Sequence, residues 1–132
     1  VRLIAILLRS ATVLLLSFLV ATSSSAQSAC NITLNVGEQG NVTAKRGETV
    51  TLCLPLTSGT GYSWKVQDGG DAMTLQPTST FERNGPQPGA SGLMRFTMKP
   101  TTPGDYTLVL MLLPPGNTGA EAGRAFFGLK VL

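Results

Sequence analysis

From residue 31 onward, apolar residues recur at every second position and the runs are cut by Gly and Pro, a pattern that strands with one buried face satisfy. Ile32, Leu34 and Val36 alternate with Thr33 and Asn35, and Val50, Leu52 and Leu54 alternate with Thr49, Thr51 and Cys53 before Pro55. Met94, Phe96 and Met98 alternate with Arg95, Thr97 and Lys99, while Phe127, Leu129 and Val131 close the chain. No long window holds a helical period, so very little helix is expected. Residues 106–113 (YTLVLMLL) are apolar on both faces. Such a strand is either central, with some outward Leu left exposed, or covered by a partner. Turn signals at residues 37–40, 47, 59–61, 69–70, 85–92, 103–104 and 114–123 divide the domain into about seven strands. That count and spacing predict an all-β fold, a two-sheet β-sandwich, and the aromatic residues that follow fit an immunoglobulin-like β-sandwich.

Two aromatic residues fit this architecture. Pro103-Gly104-Asp105-Tyr106 enters an apolar strand in the manner of a tyrosine corner. Trp64 follows a turn and opens the third long strand, where such sandwiches bury a Trp. Both are assigned structural roles.

The first residues read differently. Arg2 and Arg9 precede an apolar stretch over residues 11–21, and Thr22-Ser23-Ser24-Ser25-Ala26 then turns small and polar. These are the three regions of a secretory signal peptide. The apolar stretch is shorter than the roughly 20 residues that span a bilayer, so an uncleaved anchor is the lesser alternative. A signal peptide over residues 1–26 and a domain over residues 27–132 are expected, with cuts after Ser28 or Ala29 also open. The protein is thus expected to be exported, to the periplasm or beyond. Its leader holds two of the 10 cationic residues and none of the 7 acids, which leaves the domain at +1. A near-neutral domain with few charges has no footprint for nucleic acid.

Cys30 and Cys53 are the only cysteines. In an oxidising compartment a disulfide between them is the first reading. A lipidated Cys30, the one route to membrane contact, and two free thiols are the alternatives; Gln27 stands where a lipoprotein signal usually carries Leu.

The chain has no histidine, which removes the commonest general base, the commonest zinc ligand and every Ser-His or Cys-His nucleophile pair. Asp68 and Asp71 fall in a Gly-rich stretch, QDGGDA, that lacks the further oxygen ligands of a calcium loop and reads as a solvated hairpin turn. No catalytic residue, cofactor, metal or small-molecule substrate is expected. Function must then reside in loops mounted on a rigid frame. Three look specialised: residues 57–64 (TSGTGYSW), residues 85–92 (GPQPGASG) and residues 113–123 (LPPGNTGAEAG). The last two exceed the two to five residues of an ordinary hairpin connection.

In their order these loops resemble those of the chagasin-type inhibitors of papain-like cysteine peptidases. That family's first loop reads Asn-Pro-Thr-Thr-Gly-Tyr/Phe-x-Trp after a strand ending in Leu-Pro. Here Leu54-Pro55-Leu56 precedes Thr57-Ser58-Gly59-Thr60-Gly61-Tyr62-Ser63-Trp64, in which Thr60, Gly61, Tyr62 and Trp64 match and Thr57, Ser58 and Gly59 differ. Gly89-Ala90-Ser91-Gly92 resembles the small, Gly-rich second loop. Leu113-Pro114-Pro115 stands where the third loop usually opens with Arg-Pro-Trp/Phe. The similarity runs from about residue 34 to 132.

The resemblance implies a monomeric, reversible inhibitor whose partner is a papain-like cysteine peptidase. It also implies that the three loops sit side by side, the first blocking the catalytic cysteine and the others gripping the cleft walls. Thr57, Ser58, Gly59, Thr60, Gly61 and Tyr62, then Gly89, Ala90, Ser91 and Gly92, then Leu113, Pro114 and Pro115 would form the contact. Tyr62 is either an apolar anchor with a polar tip or an internal brace of its loop. The alternative reading, motivated by the altered third loop and the two-faced apolar strand, is a non-inhibitory immunoglobulin-like binding module of the cell envelope.

Overall fold

The computed structural model describes residues 29–57, 59–87, 89–116 and 120–132. The expected leader and Ser58 lie outside the described residues. Among the described residues, eight strands, where the turn count gave about seven, and one short helix follow in order. They are β1 (Ile32–Thr33), β2 (Gln39–Ala44), β3 (Val50–Thr57), β4 (Ser63–Val66), α1 (Asp71–Leu75), β5 (Thr78–Arg83), β6 (Ser91–Met98), β7 (Gly104–Leu113) and β8 (Gly123–Val131).

The strands form two four-stranded sheets, β1-β3-β6-β5 and β2-β8-β7-β4. β1 runs parallel to β3 and β2 parallel to β8, and the remaining pairs are antiparallel. The all-β sandwich read from the alternation is therefore the observed architecture. Its core lies between the sheets, where Val50, Leu52 and Leu54 of β3 and Phe96 and Met98 of β6 join Leu108, Leu110, Phe127 and Leu129 of the second sheet. Leu108 pairs with Phe127 and Leu110 with Ala125 across β7 and β8. The period of two thus delivers each strand's apolar set to one face.

β7 is central in its sheet, between β8 and β4. Leu108 and Leu110 point to the core, and the alternate residues Val109, Met111 and Leu113 are half-buried on the outer face. β3 departs from simple one-sided burial, since Thr51 and Cys53 are as buried as their apolar neighbours. Cover comes from the chain around β1. Asn31 accepts from the Thr51 N–H through its side chain at 2.8 Å and donates its own N–H to the Thr51 carbonyl at 2.8 Å. Cys30 and Cys53 are joined as a disulfide, with Cα atoms 5.7 Å apart. Arg95 of β6 lies against both sulfurs, at 3.2 and 3.5 Å, and pairs with Glu82 of β5.

Two other sequence features resolve differently from each other. The Tyr106 hydroxyl donates to the Thr102 carbonyl at 2.7 Å, the bond that defines a tyrosine corner. QDGGDA is not a hairpin turn. It leads from β4 into α1, and the Asp71 carboxylate accepts from the Thr107 N–H at 2.7 Å. β4 pairs with β7 only from Leu110 to Leu113, so Asp71 satisfies a β7 amide beyond the end of its neighbour strand.

Replacing Cys30 and Cys53 together by Ser should remove roughly 3 kcal/mol of stability, the loop-closure value for a cross-link of this span. Tyr106→Phe should cost about 1 kcal/mol, the net worth of one hydrogen bond. Urea midpoints of the two variants against the parent protein check both values.

Candidate functional site

The first loop carries the chain from one sheet to the other, because β3 and β4 lie in different sheets. Its neck is closed from inside: the indole of Trp64, 3% exposed, donates through Nε1 to the Pro55 carbonyl at 3.0 Å. Burying an indole requires a partner for its N–H, and the Leu-Pro segment at the end of β3 supplies one. Within the loop, the Thr60 hydroxyl donates to the Thr57 carbonyl at 2.8 Å.

Strand register brings the other two loops alongside. Thr57 pairs with Ser91 at the start of β6, and Ser63 pairs with Leu113 at the end of β7. The second loop, joining β5 to β6, is closed by the Asn84 N–H donating to the Ser91 carbonyl at 2.9 Å. In the third, joining β7 to β8, the Ala122 N–H donates to the Leu112 carbonyl at 2.8 Å.

Two glycines show how closely the loops meet. Gly59 and Gly61 have φ of 84° and 79°, the left-handed region that side chains disfavour. A Cβ on Gly59 would stand 3.4 Å from the Cα of Gly89, and one on Gly61 would stand 2.6 Å from the Cβ of Pro115. The first loop therefore lies between the second and the third, touching both.

Along residues 57–63, 84–91 and 113–120 the sequence holds no Asp, Glu, Lys or Arg. The nearest charges behind the third loop are paired with each other, Arg124 donating to Glu121 at 2.6 Å. This hydrogen bond, with the attraction between the charges, holds the Glu121 carboxyl below the ordinary range and lifts Arg124.

Of the residues singled out in the sequence, Thr57 is exposed at the end of β3, and Gly59, Thr60, Gly61 and Tyr62 are exposed on the first loop, with Tyr62 40% exposed. Gly89 is exposed and Ala90 half-buried. Ser91 and Gly92 stand in β6 rather than in the loop, and Gly92 is buried, where a Cβ would lie 2.1 Å from the Glu82 carbonyl oxygen. Its small size serves the packing of β5 on β6. Leu113 ends β7, and Leu113 and Pro114 are half-buried, while Pro115 is exposed against Gly61. The contact between Pro115 and Gly61 had no signal in the sequence, since it depends on which strands are neighbours; the Thr60 bond to Thr57 is local, and a Thr three residues into a turn is the signal that could have found it.

A family model described as "Chagasin family peptidase inhibitor I42" matches residues 43–131. The chain belongs to the chagasin family of peptidase inhibitors. The resemblance drawn from the loop motifs is thereby borne out, and the chain stands among inhibitors rather than enzymes. Solved structures share the fold. A cysteine protease inhibitor of Entamoeba histolytica, EhICP2, is 17% identical with a TM-score of 0.56, over 76% of this chain and 94% of that one. PbICP-C, solved in complex with falcipain-2, is 19% identical with a TM-score of 0.54, over 76% and 98%. Amebosin, solved in solution, is 20% identical with a TM-score of 0.55, over 76% and 96%. None of the curated proteins matches the chain.

The loop packing has a direct test. Gly61→Ala and Gly69→Ala both place a side chain at positive φ, yet at Gly69 nothing lies within 4 Å of the added Cβ. Both should lose about 1 kcal/mol or more from backbone strain, but only Gly61→Ala should shift the amide resonance of Gly116 in the third loop.

Proposed function

We propose that the protein is an exported, reversible inhibitor of papain-like cysteine peptidases that fills the active-site cleft with its three adjacent loops. The observation that carries this reading is the first loop, slender and uncharged, held between the other two at one end of a β-sandwich. Family membership supports inhibition, and the complex of PbICP-C with falcipain-2 supports the class of target. Export is supported by the leader-like segment and the disulfide, which belongs to oxidising compartments.

The geometry suits a narrow cleft. Gly59 and Gly61 bring bare backbone to the tip, so no large side chain hinders entry. The Trp64–Pro55 bond and the internal Thr60 bond fix the loop's shape beforehand, which lowers the ordering cost of binding. Both cysteines are engaged in the disulfide, so the chain offers the peptidase no thiol, and association is non-covalent. Thr57, Ser58, Gly59, Thr60, Gly61 and Tyr62 are assigned to the cleft. Gly89 and Ala90 are assigned to one wall, with Ser91 and Gly92 supporting them, and Leu113, Pro114 and Pro115 to the other. The third loop offers neither a guanidinium nor an indole, the side-chain types most often found as interface hot spots.

Titration of papain with protein beginning at Gln27 should give competitive inhibition, weakened at least about tenfold, or 1.4 kcal/mol, by Thr60→Ala combined with Gly61→Ala. A folded domain that leaves papain-like peptidases active at high micromolar concentration would instead favour an envelope binding module. Because the contact edge has no charge, the association rate should change by less than about twofold between low and high salt; stopped-flow measurement at two ionic strengths decides this.

A further inference from the structure

A notch of about 250 Å³ opens beside the first loop, lined by Pro55, Leu56, Thr57, Thr60, Tyr62 and Leu112. Its wall is mostly carbon and includes no charged residue. Larger depressions elsewhere differ in kind. The one over Gly128 includes Asp105 and Lys130, the one beside α1 includes Asp68 and Asp71, and the one near Leu75 includes Lys99.

The walls of the notch are fixed by bonds already described. Pro55 is held by the Trp64 indole, and Thr57 and Thr60 are joined through the Thr60 hydroxyl. Leu112 pairs with Trp64 across β7 and β4, and its neighbour Leu113 opens the third loop. Tyr62 leaves 40% of its surface in solvent. A preformed apolar recess with little left to order is the kind of feature that yields a binding hot spot.

We infer that this notch is a specificity socket, which receives one apolar side chain projecting from the rim of the target peptidase's cleft. The inference rests on the inhibitor reading and adds to it the chemistry that selects among targets. Continuity argues for this occupant. Thr57, Thr60 and Tyr62 belong both to the loop assigned to the cleft and to the notch, so a peptidase that admits the loop brings its rim over the opening. Charge argues for it as well, because a rim Asp, Glu, Lys or Arg placed there would be desolvated with no opposite charge to pair with. Peptidases with an apolar residue at that rim position are bound tightly, and those with a charged one are discriminated against.

The test is a double-mutant cycle on inhibition constants. Leu56→Trp, which fills the notch, should weaken inhibition of papain by at least about tenfold, with the loss in the dissociation rate. Alanine substitution of the peptidase's apolar rim residues, one at a time, should reveal one whose loss weakens the unaltered inhibitor by a similar factor. Against that peptidase variant, Leu56→Trp should cost no more than about twofold. Met73→Ala, which removes an exposed side chain from α1, should leave inhibition unchanged. Should Leu56→Trp not fold, Leu56→Phe replaces it, and the scan of the peptidase with the unaltered inhibitor stands by itself. Wild-type inhibition by a folded Leu56→Trp, an equal loss against every rim variant, or no apolar rim residue that matters would each overturn the socket while leaving the inhibitor reading intact. Failure of the unaltered protein to inhibit any papain-like peptidase would overturn both.

Discussion

The hydrogen bond from the Trp64 indole to the Pro55 carbonyl ties the two sheets together at the neck of the first loop. Trp64 belongs to β4 and Pro55 to β3, so the bond spans the sandwich where the chain leaves one sheet for the other. An indole N–H left unpaired in that core would cost its desolvation, and an open neck would free the loop to take many shapes. Pro55 suits its place for a related reason. β1 pairs with β3 only at Leu52 and Cys53, so a residue with no N–H lies where β3 has lost one neighbour. The local sequence around the loop is therefore concerned with holding a neck closed, and the loop's thin, small-residue tip is possible because that neck is rigid.

For the proposed contact, a charge-free loop end on a weakly charged domain limits where affinity can come from. Long-range attraction contributes little, and surface ion pairs contribute nothing. What remains is shape, backbone hydrogen bonding and apolar burial, each of which depends on geometry more steeply than on composition. This accounts for the concentration of rigidity near the loops: prolines at 55, 86, 114 and 115, internal bonds across two of the three loop necks, and the indole bond across the third. Behind the third loop, Arg124 and Glu121 are paired with each other.

Much of this fold was legible in the sequence because alternation is a local property that survives tertiary context. Val50, Leu52 and Leu54, and the apolar run through β7, declared their strands and their inward faces directly. The tyrosine corner was legible for a similar reason, since Thr102 and Tyr106 are close in sequence. Alternation failed where burial came from elsewhere. Thr51 and Cys53 read as outward positions and are buried because the chain around Asn31 folds over them, while Val36, read as inward, is 49% exposed beyond the short β1. The helix at Asp71 has too few residues to show a period, and its acid acts on Thr107, far along the chain. At the candidate site, the three loops stood out by composition and length, whereas their lying side by side was legible only through likeness to the chagasin type. That Ser91 and Gly92 lie in a strand follows from register, and register is fixed by pairing partners.

The contacts between the loops change what the altered third loop means. A loop lacking the family's usual Arg and aromatic looks, as sequence, like a weakened contact. In the folded chain Pro115 stands against the bare backbone of Gly61, on the side of the first loop opposite Gly89. A proline has few ways to move, so it braces its neighbour at little entropic cost. The third loop thereby contributes to shaping the first even where it touches no partner, and the two cannot be treated as independent sources of binding energy. Substitutions in one will act partly through the other, with non-additive effects of the kind expected for residues in direct contact. The three loops are best regarded as one object with a single shape, whose first segment is free to be thin because the other two hold it.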